Sequence, residues 1–175
     1  MIFGLILTVI LLPFAGGLLL QLLKFKERKY KQFYIFSYVL LNTLLTYVLL
    51  SQGTTNLIRV INFAGEKLDF SFKIDGMSMV FAGLVATLWP LATLYSFPYM
   101  EHEHNGRVHE NIFYMFYTAT YGVTLGIAMS GNMLTMYCFY ELLTLVTVPL
   151  VMHTLTREAV HALSLIHISE PTRPR

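Results

Sequence analysis

The sequence predicts an all-α membrane protein, and three observations carry that expectation. Only 13% of its 175 residues are charged and 55% are hydrophobic, whereas about a quarter of a soluble domain is charged. Mean hydropathy is +0.59. The apolar residues are gathered into uncharged runs as long as a bilayer crossing, about 20 residues for a hydrocarbon core of roughly 30 Å. The expected architecture is five transmembrane helices of a truncated polytopic bundle, with a small extracytoplasmic β-hairpin between helices two and three.

The five runs cover residues 2–23, 33–50, 77–97, 112–129 and 133–154. The first has no basic segment before it and no cleavage signature, and it exceeds the 7–15 residues or so of a signal-peptide core, so it is expected to be a retained span. Trp89-Pro90 predicts a kink in the third. The fourth carries Thr118, Gly122, Gly126 and Ser130 one turn apart, a small-residue stripe that lets two helix backbones approach. The expected partner is the fifth span, which the very short 130–132 turn brings alongside. The many Tyr and Phe residues suit packing and interface belts.

Between the first two spans lie Lys24, Lys26, Arg28, Lys29 and Lys31, while the net formal charge of the whole chain is only +2. Short loops rich in Lys and Arg stay on the cytoplasmic side, so this run speaks for membrane orientation, with the N-terminus outside, rather than for nucleic acid. Alternation then places 51–76 and the 130–132 turn outside and 100–111 inside. That inner loop carries Glu101, Glu103 and Glu110 against Arg107, a mild conflict, since acidic residues weigh little in the rule.

The outer loop alternates apolar and polar residues from Leu68 through Asp69, Phe70, Ser71, Phe72 and Lys73 to Ile74, the period of a half-buried strand. Its partner is expected at 57–63, joined through Ala64-Gly65-Glu66-Lys67, with Asp75-Gly76 turning the chain into the third span. Asp75 reads as a helix N-cap, and secondarily as a carboxylate at an ion-access point. After Ala162 the composition changes abruptly to Leu-Ser-Leu-Ile-His-Ile-Ser-Glu-Pro-Thr-Arg-Pro-Arg. This string resembles the translated read-through of a sequencing-library adapter, so residues 1–162 are expected to be the protein proper and 163–175 a non-native tail.

The interiors of the five runs contain one charged residue, Glu141. An ionised acid at mid-membrane costs roughly 3 kcal/mol even on the lenient insertion scale, and such residues face a bundle interior or a water cavity. Burial favours the protonated form, so a carboxyl held there can load and release a proton. Tyr137 and Cys138 lie one turn before it, Thr144 and Leu145 one turn after, with Tyr140 and Thr147 on adjoining faces. Pro149 withholds an N–H and frees the carbonyl of Leu145. Glu141 is therefore the candidate proton relay, with Tyr137, Tyr140, Thr144, Thr147 and His153 as supporting polar groups; the alternative is a structural interhelical hydrogen bond.

Glu101-His102-Glu103-His104 with His109 has the residue types of a metal site, but a solvated loop has the same composition and no metal is expected. His153 and His161 sit near the inner end of the last span. No phosphate loop, dinucleotide fingerprint or Ser/His/Asp arrangement is present, and the single Cys138 rules out a disulfide framework, so no cofactor is expected.

Phe72-Lys73-Ile74-Asp75-Gly76-Met77-Ser78, Trp89-Pro90, Tyr99-Met100, and Gly131-Asn132-Met133-Leu134 leading into Phe139-Tyr140-Glu141-Leu142-Leu143-Thr144-Leu145 with Pro149-Leu150 resemble the N-terminal third of the antiporter-like subunits. That family comprises large membrane subunits of respiratory complex I, membrane-bound hydrogenases and multisubunit Mrp-type cation/proton antiporters. The resemblance implies that Glu141 matches the family's fifth-helix glutamate, which works against a lysine on a broken seventh helix. It also implies proton or Na⁺/H⁺ translocation in the cytoplasmic membrane, with other membrane subunits as partners. The chain would be the ion-translocating part of an oxidoreductase complex or antiporter, with no redox centre of its own. A fragment lacking every pathway lysine would be inactive alone. The competing expectation is a non-catalytic anchor or assembly subunit.

Overall fold

The computed structural model describes residues 2–23, 25, 27–53, 56–62, 69–102 and 110–151. Five helices and one hairpin make up the described part: α1 (Ile2–Leu22), α2 (Arg28–Ser51), β1 (Ile58–Asn62), β2 (Asp69–Phe72), α3 (Gly76–His102), α4 (Glu110–Ala128) and α5 (Met133–Val151). Each of the five apolar runs holds a helix. Two helices run past the apolar run that announces them. α2 starts at Arg28 rather than 33, because Lys, Arg and Tyr are acceptable helix formers that carry the backbone ladder out into the interface. α3 continues through Pro98 to His102; hydropathy marks where lipid begins, not where hydrogen bonding stops.

Four helices, all but α4, are long and apolar enough to cross a membrane. The reason α4 falls short lies in its position. It is the central helix, packed against α1, α3 and α5, and buries Tyr114, Thr118, Thr120, Tyr121, Gly122 and Gly126. These residues meet protein rather than acyl chains, so their polarity is tolerated where the outer helices present leucine, as at Leu18 and Leu44, which are 58% and 56% exposed. The core that results joins Ile6, Val9 and Ile10 of α1, Val39 and Leu49 of α2, Tyr121 and Leu125 of α4, and Phe72 and Ile74 beside the hairpin.

The small-residue stripe of α4 serves two neighbours rather than α5 alone. A Cβ on Gly122 would collide with the carbonyl oxygen of Ile10, and Thr118 faces Gly17, so this half of the stripe seats α1. Gly126 meets the ring of Phe139 and seats α5. A helix has several faces, and the spacing of small residues names the face without naming its partner.

Strands β1 and β2 pair antiparallel, Ile58 opposite Phe72 and Asn62 opposite Asp69, with a bulge between Arg59 and Ile61. The expected connection, Ala64-Gly65-Glu66-Lys67, lies outside the described residues, as do the basic residues Lys24 and Lys26, residues 103–109 and everything from 152 onward, including His153, His161 and the tail. α2 ends on Gly53, whose φ of +82° suits glycine and whose N–H closes on the Leu50 carbonyl.

The hairpin is fastened to the α4–α5 turn. Lys73 N–H donates to Met129 O at 2.9 Å and Gly131 N–H to Ser71 O at 2.8 Å. Ser71 N–H donates to Thr135 Oγ1, and the Asn132 amide donates to Asp69 O and Oδ1. The end of α2, the hairpin, the start of α3 and the α4–α5 turn thus share one end of the bundle, while the starts of α2 and α4 share the other, as alternation of the spans requires.

Asp75 caps α3. Its Oδ1 accepts from Ser78 N–H at 2.9 Å and from Ser78 Oγ at 3.0 Å. These two hydrogen bonds, with Lys73 nearby, hold the carboxyl below its ordinary value of 3.8. A depressed folded-state value contributes stability above the unfolded value and loses it as pH falls through the folded one. Amide-exchange protection at Met77 to Met79 is therefore expected to fall as pH drops below 3.8, and Asp75→Ala to remove that dependence; protection unchanged between wild type and variant would refute the cap.

Candidate functional site

α5 has two unlike faces. Towards α4 it presents Phe139, Leu142, Leu143 and the buried Val146, which meet Ala119 and Val123, and at its start the fully buried Thr135. The other face carries Tyr137, Tyr140, Glu141 and Thr144, all exposed. Glu141 is the ninth of the 19 residues of α5, so at 1.5 Å per residue it lies roughly 12 Å from the start and close to mid-helix.

The Tyr137 side chain, one turn back, lies within electrostatic reach of the Glu141 carboxylate. Thr144 Oγ1 donates to the Glu141 backbone carbonyl at 2.7 Å, and Thr147 Oγ1 to that of Thr144 at 3.0 Å. Hydroxyls on a helix commonly bond back to the preceding turn, which sequence spacing does not distinguish from reaching a neighbour. Cys138 is half-buried and free. Among the described residues nothing covers Glu141; the interior it was expected to face is not built from α1 to α4.

A second ionic site went unnoticed in the sequence. Glu110 opens α4 and is 92% buried; Lys31 of α2, itself 87% buried, reaches it at 2.6 Å, and Arg28 Nε lies 3.4 Å away. Lys31 Nζ also donates to Asn111 Oδ1 at 3.1 Å. A cavity of about 570 Å³ opens beside them, lined by Gln21, Phe25, Glu27, Arg28, Lys31 and Glu110 among others. The signal was available: a basic run and an acidic residue at a helix start, assigned by alternation to the same end of the bundle.

Residues 61–108 match the family model described as NADH-ubiquinone oxidoreductase (complex I), chain 5 N-terminus. A Na⁺/H⁺ antiporter subunit of Alkalihalophilus pseudofirmus is 31% identical over 91 residues, covering 52% of this chain and 11% of that protein. A probable K⁺/H⁺ antiporter subunit of Rhizobium meliloti is 27% identical over 141 residues, 79% of this chain and 14% of the relative. The chain is similar to antiporter-like membrane subunits. A Na⁺/H⁺ antiporter subunit of Staphylococcus aureus is 25% identical over 138 residues, 76% of this chain and 17% of its own length. The chain thus spans between 11% and 17% of the length of these relatives. Its apolar helices and these relatives make it an integral membrane protein.

Proposed function

We propose that residues 1–162 form the N-terminal part of a subunit that translocates protons, or exchanges Na⁺ for H⁺, with Glu141 as a proton relay. The observation that carries this is the position of Glu141 at mid-length of α5, on a face with Tyr137, Tyr140 and Thr144 that α1 to α4 leave open. A carboxylate and three hydroxyl groups make a costly surface against acyl chains, and intramembrane acids sit where another helix or water meets them. The relatives are many times longer than this chain, so further helices are available to complete the face. The same reading makes the protein one member of a multisubunit membrane complex of NADH-quinone oxidoreductase, hydrogenase or Mrp type. The basic run at 24–31 would be cytoplasmic and the N-terminus outside. Partner subunits would supply any redox chemistry.

The test is the intact gene. Its reading frame past Ala162 is expected to continue into further apolar spans and to place a lysine within a span roughly two helices beyond α5. A stop codon or a soluble domain there would instead leave a membrane anchor or an assembly factor, and Glu141 would be a packing residue.

A further inference from the structure

The face of α4 turned towards α2 and α3 carries a polar row that begins at the Lys31–Glu110 cavity and leads inward. Glu110, Tyr114, Tyr117 and Tyr121 follow one another at helical spacing. The Ser96 hydroxyl contacts Tyr114 Oη at 3.4 Å and donates to Thr93 O at 2.7 Å. Thr93 Oγ1 and Tyr117 Oη lie 3.2 Å apart. Deeper still, Trp89 stacks on Tyr121 with ring centroids 5.0 Å apart, and Tyr121 Oη meets Thr43 Oγ1 at 3.0 Å. Thr43 in turn donates to Ala86 O, the carbonyl that Pro90 leaves without its helical N–H. From Glu110 to Tyr121 the row climbs about 16 Å at 1.5 Å per residue, half of a hydrocarbon core of roughly 30 Å.

The inner end of this row is under-satisfied. Asn42 is fully buried; among the described residues its carboxamide has Tyr121 within electrostatic reach but makes no hydrogen bond of normal geometry. Trp89 Nε1 is likewise buried without a hydrogen-bond partner among the described residues. Buried polar groups are satisfied in native proteins by protein or by ordered water, and a polar pocket with several such groups is where water is retained. Lipid can supply no such partner. Interhelical hydrogen bonds alone would account for Thr43, Thr93 and Tyr117, but not for the under-satisfied Asn42 amide and the indole N–H.

We propose that water enters from the Lys31–Glu110 cavity and runs between α2, α3 and α4 as far as Asn42, giving protons an access route separate from the face of Glu141. Each transfer along such a file forms one O–H bond as it breaks another, so no redox partner is required. The proton part of this inference rests on the translocation reading above; the water part does not.

Cysteine accessibility in the full-length protein, with Cys138→Ser, separates the two. Asn42→Cys and Thr93→Cys are expected to react with a small methanethiosulfonate-ethylammonium reagent within about tenfold of the rate at Asn111→Cys by the cavity, because the reacting thiolate forms in water. Leu44→Cys and Leu91→Cys, exposed on the lipid side of the same helices, are expected not to react. Failure of both Asn42→Cys and Thr93→Cys to react means a dry interface and overturns the proposal; if Asn42→Cys does not insert, Thr93→Cys decides. Labelling that persists in a Glu141→Ala background supports the water file even where transport is lost. Tyr117→Phe, with Glu141 intact, is expected to slow pH-gradient formation by roughly tenfold, below the full cost of a lost proton-transfer group because water bridges the gap. Wild-type rates in that variant would overturn the proton route.

Discussion

Replacing Glu141 by Ala in the full-length protein is expected to abolish pH-gradient formation in inverted vesicles while membrane insertion and the amount of protein stay at wild-type level. Insertion is spared because removing a carboxyl from mid-span lowers the cost of placing α5 in lipid, by up to roughly 3 kcal/mol on the insertion scale. Packing is spared because the side chain is exposed and lies on the face of α5 turned away from α4. Transport is not spared: losing a positioned proton-transfer group costs on the order of 10²–10⁴-fold. Glu141→Gln, which keeps shape and hydrogen bonding but cannot carry a proton, should be as inactive as the alanine variant. Glu141→Asp, which keeps the acid and shortens its reach, should retain part of the rate. Gradient formation at the normal rate in the glutamine variant would reduce Glu141 to a hydrogen-bonding residue. Because the described part of the bundle does not depend on this side chain, loss of activity with normal stability points to chemistry rather than folding.

How much of this was legible in the residues depends on the range over which each feature is determined. The five helices were legible because an uncharged run of bilayer length has few other uses, and the hairpin because Asp69 to Phe72 alternates with period two and has a strand of similar length across a turn. Asp75 as a cap was legible because the interaction spans three residues. What escaped was each pairing across the bundle. The stripe at Thr118, Gly122 and Gly126 declared close approach, yet only the folded arrangement shows that Gly122 rests on the Ile10 carbonyl. Thr144 and Thr147 sat at the right spacing to assist Glu141, but each hydroxyl found a backbone carbonyl of its own helix first. Glu110 was counted among loop acids that weighed against the orientation. Its partners Arg28 and Lys31 belong to the basic run between the first two spans, so that acid and bases from one end of the bundle meet as an ion pair.

That meeting carries the larger stability prediction. Glu110→Leu is expected to destabilise the bundle by about 3–5 kcal/mol, the range for removing one partner of a buried ion pair, measured as a drop in thermal or denaturant stability in detergent. The cost does not come from losing a strong bond. It comes from leaving the Lys31 ammonium, 87% buried and 2.6 Å from where the carboxylate was, with the neutral Asn111 amide oxygen as its remaining protein acceptor among the described residues. Arg28, 29% exposed, can swing its head towards water and so contributes less to the penalty. The double variant Glu110→Leu with Lys31→Met should therefore recover most of the loss, since an apolar pair of similar volume commonly replaces a buried ion pair without net cost. A double variant no more stable than the single would mean that the damage is steric. A single variant within about 0.5 kcal/mol of wild type would mean that the pair contributes no more than a surface one.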